Sequence, residues 1–282
     1  RQVTDQAFAA IEEMEQLSSR WIPTSQTSKV NKYAAREPVH VGGTILTLLL
    51  DSKRLNQDTG GAFDVTVAPL LDLWGIYKKQ GHFPAPAELD AARKKVGFDK
   101  ITIDEAAETV KFGVEGMQLD FGGIAKGLAA DCAAKVLRAN GITAARISGG
   151  SSTIVTVGVP PDVPYWTVRI RDEYNASNPF VDEIKLTNES LSTSSSSERF
   201  VELDGKKYGH IFDPRTGMPV EGILSSTAIA PTGVESDGLS TAFFVMGKES
   251  VEAYCRAHPE VRAILVFLKD GVPQPVHINF RD

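Results

Sequence analysis

The chain reads as an α+β protein, and three observations predict that class. Segments with apolar residues at helical spacing are interspersed with short β-rich runs. No regular strand–helix–strand rhythm recurs, as a doubly wound sheet would require. No internal repeat is present that would suggest a solenoid. With 282 residues and 42% hydrophobic content, the chain is long enough for one large domain or two small ones, either able to bury a sizeable core.

The elements follow in order. VTDQAFAAIEEMEQLSSRW sets Phe8, Ile11 and Met14 at helical spacing with acidic residues between, a surface helix closed by Ser18 and Ser19. SQTSKVNKYAAREPVHV is polar and is expected to be a loop. GGTILTLLLDSKRLNQDTG predicts a second helix ending near Gly60. After it come a short segment, a break at Pro69, a long loop and a helix from about Ala87. KITIDEAAETVKFG predicts a hairpin, and MQLDFGGIAKGLAADCAAKVLRANG a strand, a glycine turn and a helix. ITAARISGGSSTIVTVGV and YWTVRIRDE are β-rich, and the final third alternates SSTAIAP, STAFFVMG and VRAILVFLKDG. STSSSSERF, residues 192–200, is too short for a disordered linker and is expected to be a turn inside the domain.

Charge and cysteine content narrow the function classes. Thirty Lys and Arg against 36 Asp and Glu give a net charge of -6, which disfavours nonspecific binding to nucleic acid or an anionic membrane surface. An anionic small ligand would therefore need a local positive site. Cys132 and Cys255 are the only cysteines and form no CxxC, so neither a zinc knuckle nor a disulfide framework is readable. The longest apolar stretch, ILTLLL at 45–50, falls far short of the roughly 20 residues of a bilayer span. The chain opens on Arg1, so a signal segment, if the protein carries one, is not visible.

Three constellations can carry chemistry. In LDFGGIAKGLAADCAAKVL, Ile124, Leu128, Cys132 and Val136 recur every four residues, which starts a helix beside Gly123 with that face buried. Its first N–H groups and the positive end of its dipole attract phosphate, and Lys126 adds a full charge. No Gly-Lys-Ser/Thr ending and no GxGxxG is present, and DFG at 120–122 lacks any other kinase signature. The stretch is also readable as a glycine-rich turn with a solvated lysine. In ESDGLSTAFFVMG, Ser236 has the character of an N-cap, and Asp237 and Thr241, four apart, project hard oxygens from one helical face. That pair suits Mg²⁺, which takes few protein ligands and completes its shell with water and phosphate oxygens; an Asp near a helix start is equally at home as a capping group.

The third constellation is YGHIFDPRTGMPV. Pro214 fixes its φ and Gly217 permits φ > 0, so the chain turns there. His210 can serve as a general base, Asp213 can orient it or a metal, and Arg215 can grip phosphate bidentately. The bland alternative is a turn with surface polar groups. His40, His82, His258 and His277 are scattered without metal-ligand spacing and are read as structural.

Together, GAFDVTVAPLLDLWG, LDFGGIAKGLAADCAAKVLRANG, HIFDPRTGMPV and SDGLSTAFFVMG, in that order and at these separations, closely resemble the FAD:protein FMN transferase (ApbE) family. The resemblance runs from SQTSKVNKY to about Gly247, and four linked motifs are far more specific than any one. It implies a single ApbE-like domain over 1–282 with an active-site cleft between two lobes. It implies an enzyme that cleaves FAD with Mg²⁺, places FMN through a phosphoester on a Thr or Ser of a partner protein, and releases AMP. Ala62, Phe63 and Asp64 would lie along the flavin nucleotide, Asp120 would hold an adenosine-side polar group, and Lys126 would contact the diphosphate. The carbonyl of Gly123, Asp237 and Thr241 would ligate Mg²⁺ with Ser240 assisting, His210 would deprotonate the acceptor hydroxyl, and Ile211 would pack on the nucleotide. The acceptor would be a membrane-associated redox protein, and the location extracytoplasmic, because the family often carries a lipoprotein signal before the region where this chain begins.

Two departures stand out. Ser151 in SGGSST replaces the carboxylate of the family's Gly-Gly-Asp run, and Ser195 or its neighbour and Ser197 replace the glycine and the aromatic of Ser-Gly-x-Tyr. They touch the flavin or acceptor surface and leave the metal motif intact. Two rival readings remain open on the residues alone: an FAD pyrophosphatase releasing FMN and AMP, and a protein that binds FAD without turning it over.

Overall fold

The computed structural model describes residues 1–78, 81–171, 180–197, 199–269 and 272–280. In chain order the elements begin with α1 (Gln2–Ser18), α2 (Gln26–Tyr33), β1 (Val39–His40), α3 (Gly43–Asp58), α4 (Ala68–Leu73), α5 (Pro86–Arg93), β2 (Ile101–Asp104) and β3 (Thr109–Phe112). Next come α6 (Ala125–Ala139), β4 (Ala145–Gly149), β5 (Thr153–Val157), β6 (Trp166–Arg171), β7 (Phe180–Leu186), β8 (Ser190–Ser195), β9 (Phe200–Leu203) and β10 (Lys206–Gly209). The last are β11 (Phe212–Asp213), β12 (Met218–Pro219), β13 (Ile223–Ala230), α7 (Gly233–Met246), α8 (Lys248–Ala257), β14 (Arg262–Lys269) and β15 (Val272–Ile278). Every strand pairing among the described residues is antiparallel, as an α+β chain without βαβ crossovers requires. The elements divide into two compact units. A sheet unit comprises Arg1–Met14, Ile124–Ser197 and Gly222–Asp282; a helix-rich unit comprises Glu15–Gly123 and Glu198–Glu221.

The sheet unit is built on six strands in the order β15-β14-β13-β8-β5-β4. On one face, Leu191, Ile229, Ile264 and Val266 pack against Val168, Ile170, Ile184 and Leu186 of the β6–β7 ribbon. On the other face, β8 and β13 present small and hydroxylated residues under α7, because alternation along β8 turns Ser190, Ser192 and Ser194 toward that helix. The cross-strand partners of Ser190 and Ser192, Ala230 and Ala228, share that face and leave room for the helix. The serine run is therefore a buried strand as far as Ser195, and only Ser196 and Ser197 turn. Serine-rich composition suggests a turn because hydroxyls compete locally for the backbone; here hydroxyls on a facing helix satisfy them instead.

α6 and α7 meet through small residues. The buried side of α6 is Gly127, Ala130, Ala133 and Ala134, whereas Leu128, Cys132 and Val136, expected to form it, are only half-buried; Ile124 is fully buried at the N-cap. Each helix caps the other. Gly127 N–H, in the first turn of α6, donates to Asp237 Oδ2 of α7 at 2.9 Å, and Gly233 and Val234 N–H, which open α7, donate to Asp131 Oδ1 and Oδ2 at 2.8 and 2.9 Å. These bonds satisfy orphan amides that a helix start leaves open. Burial pushes the Asp131 carboxyl above its ordinary range, against the pull of those two amides. The N-cap of α7 is Thr232, which accepts from Glu235 N–H, and Ser236, expected in that role, lies inside the helix and donates back to Gly233 O.

This geometry makes Gly127 irreplaceable. A Cβ there would overlap the Gly233 carbonyl, a backbone atom that cannot rotate away. Gly127→Ala would gain about 1 kcal/mol of helix propensity and lose more to overpacking, about 3 kcal/mol. We expect a net loss of about 2 kcal/mol and a melting temperature lower by several degrees in a thermal scan; an unchanged or higher value would show that the helices part without cost.

In the helix-rich unit, β1, β3 and β2 form a three-stranded sheet with the expected β2–β3 hairpin, and β9–β10 and β11–β12 are two-stranded ribbons. Its apolar cluster is Leu70, Leu71, Trp74, Ile76, Ala92, Val96, Val201 and Phe212. α2 replaces the expected polar loop. It buries only Thr27 and Val30, too little apolar surface to show as a period, and is held by a Ser25 cap and by Asn31, whose amide exchanges hydrogen bonds with Leu119 O and N–H at 3.0 and 2.7 Å. That clamp also keeps residues 117–120 outside any strand ladder, where a strand was expected. Pro69 starts α4 rather than breaking the chain, since a first-turn proline surrenders an N–H with no intrahelical partner. In α1, Ala7 and Met14 are buried while Phe8 is exposed.

Candidate functional site

Within the sheet unit, one cluster gathers four of the residues singled out in the sequence. Asp237, Ser240 and Thr241 share a face of α7, and Lys126 reaches them from the first turn of α6. The Asp237 carboxylate is almost fully buried; Lys126 Nζ lies 3.4 Å from Oδ1, while the lysine side chain is 41% exposed, so its charge also faces outward. Ser194 of β8 completes the group, with its hydroxyl 2.9 Å from Ser240 Oγ and 3.3 Å from Thr241 Oγ1. Ser240 also donates to Asp237 O at 2.9 Å. The first turn of α6, a lysine and a buried carboxylate ringed by hydroxyls thus come together. The arrangement offers positive potential to phosphate and hard oxygens to a divalent cation.

The donor set fits Mg²⁺ by its chemistry. It is all oxygen, with one carboxylate and several neutral hydroxyls, and Gly123, whose carbonyl was expected to join it, directly precedes the α6 N-cap Ile124. Ser226 Oγ is buried without a hydrogen-bond partner among the described residues and stands cross-strand from Ser194, on the face turned to α7. An orphan hydroxyl beside such a set has a lone pair and a proton to give to a water or a ligand oxygen. No group of three or more His, Cys, Asp or Glu side chains suited to a metal occurs among the described residues.

The remaining candidates lie in the helix-rich unit. Ala62 and Phe63 are buried in the turn after α3, where Phe63 N–H donates to Thr59 Oγ1 and Asn56 Nδ2 donates to Phe63 O. Asp64 is turned inward: Oδ1 accepts from Thr66 N–H and Oγ1–H at 2.8 and 2.6 Å, and Oδ2 accepts from Phe98 N–H at 3.0 Å. Burial raises its pKa although those donors pull the other way. The observed contacts make Asp64 the organiser of the turn. Asp120 Oδ1 accepts from Gly122 N–H at 2.8 Å and so shapes the glycine turn ahead of α6; its Oδ2 faces Arg20 Nη1 at 3.4 Å and Tyr77 OH at 3.3 Å. Arg20 also grips Asp72 with two bonds of 2.7 Å, and Arg199 lies over the Tyr77 ring.

His210 is pinned by a backbone carbonyl 11 residues earlier in the chain. Its N–H and its ring Nδ1 both address the carbonyl of Arg199, at 3.0 and 3.2 Å. A carbonyl can only accept, so Nδ1 carries the proton and Nε2 of the neutral ring presents its lone pair. Ile211 beside it is buried. Arg215 is spoken for: Nε and Nη2 grip Asp213 Oδ1 and Oδ2 at 2.8 and 2.9 Å, and its N–H donates to Oδ1 at 2.9 Å. Burial lifts the Asp213 carboxyl and the Arg215 bonds outweigh it, leaving a lowered pKa. The fork expected to hold phosphate is thus closed on a carboxylate two residues away, and the pair stiffens the turn.

Sequence reasoning missed Thr153, Ser192 and Ser194, and also Arg20 and Tyr77. Ser192 and Ser194 had no legible signal, because hydroxyls occupy every position from 192 to 197 and hide a strand's period, and Thr153 had none either. Arg20 and Tyr77 had none, since only tertiary contact joins them to Asp120.

Comparison with known proteins bears on the fold and the family. A family model described as the ApbE family matches residues 2–265. The FAD:protein FMN transferase of Salmonella typhimurium is 29% identical over 260 residues, 90% of this chain and 73% of that protein. The FAD:protein FMN transferase of Treponema pallidum is 31% identical over 277 residues, 93% of this chain and 76% of that one. Among solved structures, that of the ApbE protein of Thermotoga maritima matches with a TM-score of 0.89 at 27% identity, covering 99% of this chain and 89% of that one.

Proposed function

This chain belongs to the ApbE family, and from that premise we propose that it is an Mg²⁺-dependent FAD:protein FMN transferase, which moves FMN from FAD to a Thr or Ser of a partner protein and releases AMP. The observation that carries the reading is the buried Asp237 carboxylate, set with Lys126, Ser240 and Thr241 beside the first turn of α6. A diphosphate and a divalent cation are the ligands that this combination of charge and hard oxygen suits best.

The proposed roles follow from the chemistry of each group. Asp237, Thr241 and the Gly123 carbonyl would hold Mg²⁺, with Ser240 assisting. Bound there, the ion supplies neutralisation of charge on the phosphoryl oxygens. Lys126 would bind the diphosphate and stabilise the oxygen left on AMP. The acceptor hydroxyl attacks the FMN phosphorus, a new oxygen–phosphorus bond replaces the bond to AMP, and the hydroxyl proton passes to His210 Nε2. Asp120 would hold an adenosine-side group, and Ile211 would pack on the nucleotide. Ala62, Phe63 and Asp64, being buried, would serve the flavin side through the shape of their turn. The acceptor would be a membrane-associated redox protein, reached outside the cytoplasm.

The test is incubation of the full chain with FAD, Mg²⁺ and a Thr-containing acceptor peptide, followed by mass spectrometry. The expected product is peptide carrying FMN in a one-to-one ratio with AMP. Free FMN and AMP with no modified peptide would make the protein a pyrophosphatase, and bound but intact FAD would make it a binding protein.

A further inference from the structure

Behind Asp237 runs a buried chain of hydroxyls that neither the motifs nor the proposed roles use. Thr153 Oγ1 of β5 donates to Asp237 Oδ1 at 3.4 Å, and Ser192 Oγ of β8 donates to Thr153 Oγ1 at 3.2 Å. Ser192 lies 2.8 Å from Ser236 Oγ, which is itself 2.7 Å from Ser190 Oγ, and Ser190 donates to Ile154 O at 2.8 Å. Thr153, Ser190, Ser192 and Ser236 are all fully buried, so water does not compete for their protons.

The direction of the chain is set by proton counting. Each hydroxyl has one proton, and an ionised carboxylate can only accept. Thr153 therefore spends its proton on Asp237, and Ser192 spends its own on Thr153. The directed path runs from Ser192 of β8 through Thr153 of β5 to Asp237, and Ser236, whose one proton is contested by Gly233 O, Ser190 and Ser192, lies behind it. Oδ2 is held from a second direction by Gly127 N–H at 2.9 Å. A carboxylate gripped at both oxygens by groups on two other elements cannot rotate about its terminal bond.

We propose that Thr153 is a positioning residue, one that holds the Asp237 carboxylate, through the Ser192–Thr153 hydroxyl chain, in the orientation needed to accept a divalent cation. The inference rests on the reading of Asp237 as a cation ligand. Partners behind a ligand typically change metal affinity by about 10- to 100-fold when removed. Thr153→Val keeps the shape and removes the donor, leaving Oδ1 without it and Ser192 without its acceptor; Thr153→Ser restores the hydroxyl.

The experiment is titration of the full chain with Mn²⁺ alone, read by the loss of the free-ion electron paramagnetic resonance signal, for wild type, Thr153→Val, Thr153→Ser and Asp237→Asn, with melting temperatures alongside. We expect Thr153→Val to bind Mn²⁺ about 10-fold more weakly, Thr153→Ser to match wild type within about twofold, and Asp237→Asn to lose binding. Wild-type affinity in Thr153→Val with binding lost in Asp237→Asn overturns the positioning role and leaves the metal reading intact. Wild-type affinity in Asp237→Asn overturns the metal reading itself. Equal weakening in Thr153→Ser and Thr153→Val makes the residue a packing element and also overturns the proposal. If Thr153→Val does not fold, Thr153→Ala replaces it, and wild-type affinity in that variant likewise overturns the positioning role.

Discussion

Asp237→Asn is expected to lower FMN transfer by about 10³-fold or more while leaving the protein folded. Asparagine has nearly the same shape and keeps an oxygen that can accept from Gly127 N–H, so the cap on α6 survives. What disappears is the one formal negative charge in the oxygen set, leaving hydroxyls and carbonyls to face a divalent cation. With Mg²⁺ held as proposed, charge stabilisation of several kcal/mol would rest on that contact, and each 1.4 kcal/mol or so is tenfold in rate. Asp237→Ala should be as inactive and less stable, because it also strands a buried amide at a cost of about 1–3 kcal/mol. Thr241→Val removes a neutral oxygen and should cost less. Measured rates of peptide flavinylation at limiting Mg²⁺, together with melting curves, separate these outcomes; a wild-type rate in Asp237→Asn would remove Asp237 from the site.

The second large effect is expected at His210. His210→Asn should slow transfer by about 10²-fold, the usual contribution of a positioned base, with FAD affinity unchanged. The asparagine amide can still donate to the Arg199 carbonyl, which holds the histidine through Nδ1, so the local backbone has no reason to move. It has no ring nitrogen to take a proton at the position of Nε2. The discriminating measurement is a pair: FAD binding by fluorescence quenching and single-turnover transfer in the same preparation. Loss of both in equal measure would make His210 a ligand-gripping residue instead of a base.

The expected effects also differ in how far they could be anticipated. Asp237, Thr241 and His210 were legible because their chemistry sits in contiguous motifs, where helical spacing or a short turn brings groups together without help from the rest of the chain. The α+β class, α3, α5, α6 and the β2–β3 hairpin were legible for the same reason, since apolar periodicity and turn residues act over a few positions. α2 was not, because an eight-residue helix that buries two side chains has almost no apolar pattern. For Arg215 the sequence left phosphate binding and a plain surface turn both open, since a guanidinium beside a turn looks available until its carboxylate partner is seen.

What the amino-acid order determined by itself, then, is the class and most of the helices, together with a set of candidate reactive groups, because propensity and periodicity are local. Tertiary structure alone decided that the serine run is a strand, since its hydroxyls find their partners in distant segments, Ser236, Ser240 and Thr241 across a helix–sheet interface and Thr153 and Thr227 on neighbouring strands. It alone decided that α6 buries glycine and alanine rather than its larger residues, since that choice depends on how closely the Gly233 backbone approaches. And it alone put Thr153, 84 residues away, against Asp237. A buried polar atom must find a partner, but which partner depends on the packing of distant segments, and no local window contains that information.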